Sequence, residues 1–219
     1  MIDKKESQYF ELALNHISLY GKIFDIGGFL GNWSDMALSH GSFQITIFEP
    51  NKENFEKMTS KYQNNENITI INKGASNVNQ TLDYFKLIGS NCISGMSGFV
   101  SREVYKNCDV QKHQVEVIRL DNYTSDEIEF LKIDTEGFEL NVIKGCEKLL
   151  QSKKVKFLQF EYGGTYLDSG ISLNDILSYL DKFEYFVYDI DEHSNFKLVK
   201  DFKDNYNYNN FLSSYIKLC

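Results

Sequence analysis

Lys22-Ile-Phe-Asp-Ile-Gly-Gly-Phe-Leu-Gly-Asn32 is the stretch whose reading decides the fold of this chain. A short apolar run ends on an acid, Asp25, and passes into Gly27, Gly28 and Gly31, the pattern of a buried strand entering a turn. Glycines at such a turn let the backbone approach a ligand and bend into a following helix, here predicted over residues 30–39. A plain structural turn would also account for them.

Working outward, residues 7–19 read as a helix, and Gln44-Ile-Thr-Ile-Phe-Glu-Pro50 is a second β-branched run stopped by the only proline. Pro50 biases Glu49 toward an extended backbone. Asn51 is the predicted N-cap of a helix reaching Tyr62, and Asn67-Ile-Thr-Ile-Ile-Asn72 is a third strand followed by Lys73-Gly-Ala-Ser76. Further on, Glu129-Phe-Leu-Lys-Ile-Asp134 and Val155-Lys-Phe-Leu-Gln-Phe-Glu161 read as strands four and five, separated by a helix over 136–150. A helix from Ser172 or Asn174 to Leu180, a strand at Tyr185-Phe-Val-Tyr188 and a last apolar run over 210–218 complete the series. Strands alternating with helices imply an α/β fold, with helices on both faces of a mostly parallel sheet. The strand ending in Asp25 is expected in its interior, and the C-terminal run antiparallel within it.

Residues 89–114, rich in Gly, Ser and Asn and weakly periodic, read as an insertion covering the site, ahead of Val115-Glu-Val-Ile-Arg-Leu120. With no repeat and no long linker, residues 1–219 are expected to form one domain. The composition, 42% hydrophobic and 25% charged, suits a single core. A net charge of -8, from 31 acids against 23 bases, repels polyphosphates, so nucleic acid is not an expected partner. No run approaches the ~20 apolar residues of a membrane span, and Met1 to Phe10 lack a signal-type apolar core, so a cytoplasmic protein without membrane contact is expected. Cys92, Cys108, Cys146 and Cys219 form no C-x-x-C pair, and the four histidines are dispersed, which argues against a zinc knuckle or disulfide framework.

In open parallel sheets ligands bind beyond the carboxyl ends of the strands. Asp25 and Glu49 close neighbouring strands at a spacing close to that at which an acid captures ribose hydroxyls, which suggests a nucleoside ligand. Glu49 also suits a solvated acid ahead of a helix N-terminus. G-x-G-x-x-G is absent, with Phe at position 29, which discourages NAD. Gly95-Met-Ser-Gly98 is one residue short of a hydrolase elbow and does not sit between a strand and a helix. Tyr206, Tyr208 and Phe211 could stack on a sugar, although such aromatics mostly serve a core.

Together, Phe24-Asp-Ile-Gly-Gly-Phe-Leu-Gly-Asn-Trp-Ser34, Phe48-Glu-Pro-Asn51, Gly74-Ala-Ser76 and the long block from Leu131 to Gly145 (Leu-Lys-Ile-Asp-Thr-Glu-Gly-Phe-Glu-Leu-Asn-Val-Ile-Lys-Gly) resemble FkbM-type methyltransferases, over residues 22–162. The resemblance implies a class I, Rossmann-like methyltransferase fold with seven strands, binding of S-adenosylmethionine, and methyl transfer to a hydroxyl oxygen of a sugar, glycan or small metabolite. It places Asp25, Gly27 and Gly31 around the methionine moiety, Glu49 on the ribose diol, Ala75 and Ser76 by adenine, and Asp134 beside the sulfonium, with Gly28, Asn32 and Pro50 also among the cofactor-binding residues. Gly28 and Phe29 stand where the family usually has a small residue and Asn.

A hydroxyl acceptor needs its proton removed, and the candidate bases are Asp134, Glu136, Glu161 and His113. Asp134 also suits an N-cap of the following helix. Asp134 and Glu161, closing adjacent strands, could alternatively hold Mg²⁺, which prefers oxygen ligands. A binding or regulatory protein that keeps the cofactor fold without acceptor chemistry is the other reading of the same residues.

Overall fold

The computed structural model describes residues 4–88, 97–102, 109–191 and 193–218. In chain order the elements are α1 (Lys4–Ala13), β1 (Lys22–Ile26), α2 (Asn32–His40), β2 (Gln44–Phe48), α3 (Lys52–Lys61), β3 (Ile68–Ile71), β4 (Gly74–Ala75), β5 (Gln80–Ile88) and β6 (Asp109–Ile118). There follow α4 (Leu120–Tyr123), β7 (Ile128–Ile133), α5 (Glu139–Lys144), α6 (Glu147–Gln151), β8 (Val155–Tyr162), α7 (Thr165–Ser169), α8 (Leu173–Asp181), β9 (Phe186–Ile190), β10 (Phe196–Val199) and β11 (Asn209–Ser214).

The main sheet has the order β10-β9-β11-β8-β7-β1-β2-β3. β3, β2, β1, β7 and β8 run parallel, while β11 inserts antiparallel between β8 and β9. The sheet has eight strands rather than seven, because β10 folds back antiparallel on the edge strand β9. Chain progression runs outward from β1 through β2 to β3 on one side and from β7 to β8 on the other. The crevice that binds ligands in such sheets therefore opens between the ends of β1 and β7.

Period-two alternation divides the apolar side chains between two cores. Phe24, Ile26, Leu131, Ile133, Leu158 and Phe160 face α5, α6 and α8. Ile23, Ile45, Ile47, Phe130 and Phe157 face α1 and α2, where Phe10 meets Trp33 and Phe130 edge to face at 5.1 and 5.0 Å. Fully buried rings and branched chains removed from water dominate the stability of such a core.

Asn51 caps α3 as its sequence implies, accepting from Glu53 N at 3.0 Å, and Ser172 forms a capping box with Asp175 on α8. The helix expected over 7–19 starts at Lys4 and ends at Ala13, followed by one tight turn over Leu14–His16. The helix expected over 136–150 is two short helices. They part at Gly145, where a Cβ would lie 2.1 Å from the carbonyl oxygen of Ser76. The backbone there must pass close against the segment after β4, and only glycine allows it.

Of the stretch 89–114, expected as an insertion covering the site, residues 97–102 and 109–114 are described. Residues 89–96 and 103–108 lie outside the described residues, but 109–114 belong to β6, which pairs antiparallel with β5 over nine positions. β4 joins β6 in parallel to complete a second, three-stranded sheet. Residues 109–114 are exposed on both faces, so they carry no apolar period by which a strand could be recognised. Among the described residues no helix is long and apolar enough to cross a membrane. Cys146 is a buried free thiol, and the other three cysteines lie outside the described residues.

Candidate active site

A cleft of about 230 Å³ opens at the reversal of strand order. One wall is built from the turn after β1. Gly27 N and Gly28 N both donate to Phe48 O, at 2.9 and 3.3 Å, which pins the turn to the end of β2. Gly27 has φ +81°, and a Cβ there would lie 1.8 Å from Asp134 O, so the backbones of the two loops touch. Phe29 also adopts a left-handed conformation, φ 51°, and its N–H donates to Glu49, just past the end of β2. The opposite wall is the segment Ser97 to Phe99, joined to β5 by reciprocal Gly98–Phe85 backbone bonds. Phe99 packs between Tyr84 and Phe138, with centroids 5.2 and 5.1 Å away.

Glu49 lies in the floor, 3% exposed. Its Oε2 accepts from Phe29 N at 2.8 Å, and its Oε1 from Asn51 N at 2.8 Å and Asn54 Nδ2 at 3.4 Å. Burial pushes the Glu49 carboxyl up to about 7, against the opposing pull of these donors. Pro50, Gly74 and Ala75 complete this end of the cleft.

At the other end Asp134 and Glu136 reach the cleft from the loop after β7, and Glu161 stands beside them at the end of β8. Oxygens of the three carboxylates lie within 4.8 Å of one another. Lys132 Nζ sits 3.1 Å from Asp134 Oδ2, and Arg102 bonds Glu136 Oε2 at 2.7 Å, so each has a cation beside it. Oε2 of Glu161 is buried with no hydrogen-bond partner among the described residues. Burial, together with the charge of Asp134, pushes Glu136 up to about 8 despite Arg102. Burial and the neighbouring Asp134 and Glu136 likewise hold the Glu161 carboxyl well above the usual carboxylate range. The donor set is all oxygen and therefore of the kind a hard cation such as Mg²⁺ takes. Two of its three carboxyl groups already have protein cations beside them.

The sequence-derived residues do not all meet in the cleft. Gly27, Glu49, Pro50, Ala75, Asp134 and Glu136 line it. Asp25 is fully buried beneath the turn, its Oδ2 accepting from Ser34 Oγ at 2.7 Å, so it braces the wall from behind. Gly28 packs on Ile47, Gly31 on Tyr62, and Asn32 is an exposed residue opening α2. Ser76 is buried, bonding Asn77 and Ile118, and Gly74 takes its place at the cleft. His113 lies on β6 opposite Tyr84 and lines a separate depression with Lys52, Glu53 and Lys86, away from the acids. Asp134 does not cap α5; that helix starts after Phe138 with no side-chain cap.

Sequence reading missed Asn54, Phe99, Arg102 and Glu139. Glu139 is fully buried and gathers the loop after β7 by accepting from Thr135 N at 2.9 Å, Thr135 Oγ1 at 3.0 Å and Gly137 N at 3.2 Å. Its place two residues after Glu136-Gly137 in the long block was a signal available in the sequence; Phe99 and Arg102 had none, since they reach the site across the fold.

Comparison with known proteins gives this geometry a context. A profile of the methyltransferase FkbM domain matches residues 25–188. No curated protein matches by sequence. A crystal structure of methyltransferase FkbM from Methylobacillus flagellatus KT superposes with TM-score 0.60 at 18% identity, covering 94% of this chain and 46% of that one. The chain thus spans about half the length of that protein. An rRNA methylase from Streptococcus thermophilus gives 0.53 at 12% identity, over 98% of both chains. A methyltransferase candidate from Streptococcus mutans, solved in complex with SAH, gives 0.54 at 11% identity, over 98% of this chain and 99% of that one. At these identities the likeness is one of fold.

Proposed function

Because the chain belongs to the FkbM methyltransferase family, we propose that it moves the methyl group of S-adenosylmethionine to a hydroxyl oxygen of a sugar, glycan or small hydroxylated metabolite. The observation that carries this reading is the division of the cleft, with a hydrogen-bonded carboxylate at one end and a cluster of three carboxylates at the other.

Glu49 receives the ribose diol. Of the about four lone-pair sites of an ionised carboxylate its three present donors take three, which leaves one for a hydroxyl of the diol. Adenine lies toward Gly74 and Ala75, and the backbone at Gly27 lets the methionine end approach. The sulfonium then points toward Asp134, whose negative charge favours it. The acceptor oxygen aligns behind the methyl carbon, so that the carbon–oxygen bond forms as the carbon–sulfur bond breaks, and its proton passes to a carboxylate of the cluster. Holding the reactants in line supplies much of the rate. Once ionised, Glu136 and Glu161, whose carboxyl pKa values are raised, are stronger proton acceptors than ordinary acids.

Asp134, Glu136 and Glu161 are the residues that would hold Mg²⁺, which would acidify a bound hydroxyl. Lys132 and Arg102 already compensate much of the cluster's charge, and burial holds the third carboxyl, Glu161, well above the usual carboxylate range. The test is calorimetric titration with S-adenosylhomocysteine, followed by labelled methyl transfer to a panel of hydroxylated acceptors with and without chelator. Binding, with transfer that survives chelation, is the expected result. Loss of transfer on chelation and its return with Mg²⁺ would assign the cluster to a cation. Binding with no transfer to any hydroxyl would reject the O-methylation reading.

A further inference from the structure

Strand register sets a row of polar side chains beneath the cleft, on the face of the sheet that α1 covers. Asp25 of β1 pairs with Lys132 of β7, and Lys132 pairs with Gln159 of β8, so the three lie side by side across adjacent strands. Two positions earlier on the same face stand Ile23, Phe130 and Phe157, all fully buried. The Lys132 side chain, 5% exposed, reaches Asp134 Oδ2 at 3.1 Å and both Asp25 Oδ1 and Glu6 Oε1 at 3.6 Å. Glu6 comes from α1, outside the residues the family profile spans. Gln159 Nε2 donates to Glu6 O at 3.2 Å, tying the same turn of α1 to β8.

A buried ammonium is costly unless paired, and an apolar residue of similar length would pack beside Phe130 without that cost. Lys132 instead meets three acids from three elements, and only Asp134 among them lines the cleft. Asp25 is fixed independently by Ser34 Oγ at 2.7 Å. With Asp134 at 3.1 Å and Asp25 and Glu6 at 3.6 Å, the buried ammonium is surrounded by carboxylates that compensate its charge. We propose that Lys132 is the positioning residue of this site, holding the Asp134 carboxylate at the catalytic end of the cleft, and that α1, through Glu6, holds Lys132. What Asp134 does there rests on the methyltransferase reading above; where Lys132 places it does not.

The experiment compares Lys132→Met, Lys132→Arg and Glu6→Gln with the wild type in melting temperature, S-adenosylhomocysteine affinity, steady-state methyl transfer and crystal structure. Since a misplacement of about 1 Å costs on the order of 100-fold in rate, Lys132→Met should lose about 100-fold in kcat, with KM and S-adenosylhomocysteine affinity changed by no more than about 3-fold. Lys132→Arg, which keeps a cation in reach of the same acids, should recover most of the rate, and Glu6→Gln should show a smaller loss of the same kind. In the Lys132→Met crystal the Asp134 carboxylate should leave its wild-type position. If Lys132→Met does not fold, Lys132→Arg and Glu6→Gln decide the question through the kcat-against-KM split. Wild-type turnover in folded Lys132→Met, or an unmoved Asp134, overturns the proposal. So does a loss of rate in Lys132→Arg and Glu6→Gln that only follows lost melting temperature. If the wild type fails to bind S-adenosylhomocysteine, the methyltransferase reading falls, and the position of Asp134 in the crystals still judges this one.

Discussion

The two rims of the cleft are built from the same parts and treat their acids differently. At the ends of β1 and β2, Glu49 has both oxygens engaged by two backbone N–H groups and an Asn amide. At the ends of β7 and β8, Glu161 keeps a buried oxygen without a hydrogen-bond partner among the described residues, beside two more carboxylates. Burial raises the pKa at both rims, yet at Glu49 the neighbouring donors oppose the rise, whereas at Glu161 the neighbouring acids add to it. A carboxylate fixed by donors is suited to accept from a ligand that must sit in one place. A crowded cluster is suited to take up a proton.

The sharpest way to break this division is Asp134→Asn. It keeps size and one acceptor oxygen, so methyl transfer should fall by about 100-fold or more while S-adenosylhomocysteine binds with at most modest loss. Unchanged turnover would pass the proton to Glu161 or Glu136. On the opposite rim Glu49→Ala should weaken S-adenosylmethionine binding by about 1.5 to 3 kcal/mol, the range of hydrogen bonds to charged groups, with the fold intact. Titration showing wild-type affinity in the folded variant would put the ribose elsewhere.

Smaller effects test the pKa contrast. With the Glu49 carboxyl near 7 in the free protein, its ionised fraction rises between pH 6 and 8, so affinity for S-adenosylhomocysteine should rise severalfold across that window. Glu49→Gln should flatten the profile. The linked stability runs the other way: a raised acid pKa means that the folded state binds protons more tightly, so this contribution is full below about 4.5 and is lost as pH climbs through 7. The unliganded protein should accordingly melt lower at pH 8 than Glu49→Gln does relative to their difference at pH 5. Least of all, Ser172→Ala removes a capping box that does not line the cleft and should cost about 1 kcal/mol of stability without altering cofactor affinity. An affinity change there would mean that α8 and the cleft are coupled.

How far the chain could be read varies with what each segment packs against. The strands around Asp25, Glu49 and Asp134 were legible because they are buried on both faces and read as continuous apolar runs. Neither β5 nor β6 was legible as a strand, because each is satisfied by the other's hydrogen bonds with much of its surface in water. β10 is four residues on an edge, too short for a period to show. At the site, the acids at strand ends were legible from topology. The burial of Asp25 behind the wall was not, since Ser34 and Lys132 reach it from elsewhere in the chain.

Sequence by itself determined the alternation of strands and helices, the parallel core, the glycine turn after Asp25 and the carboxylates that close strands β2, β7 and β8. These are consequences of local periodicity and backbone freedom, which each segment carries with it. Tertiary structure alone decided which acids face the cleft, which are braced behind it, and which cations reach them. Lys132 looks like one charge misplaced in an apolar strand until α1 brings Glu6 over it and the sheet register sets Asp25 beside it. Charge partners depend on which loops meet in space, and packing sets that distance.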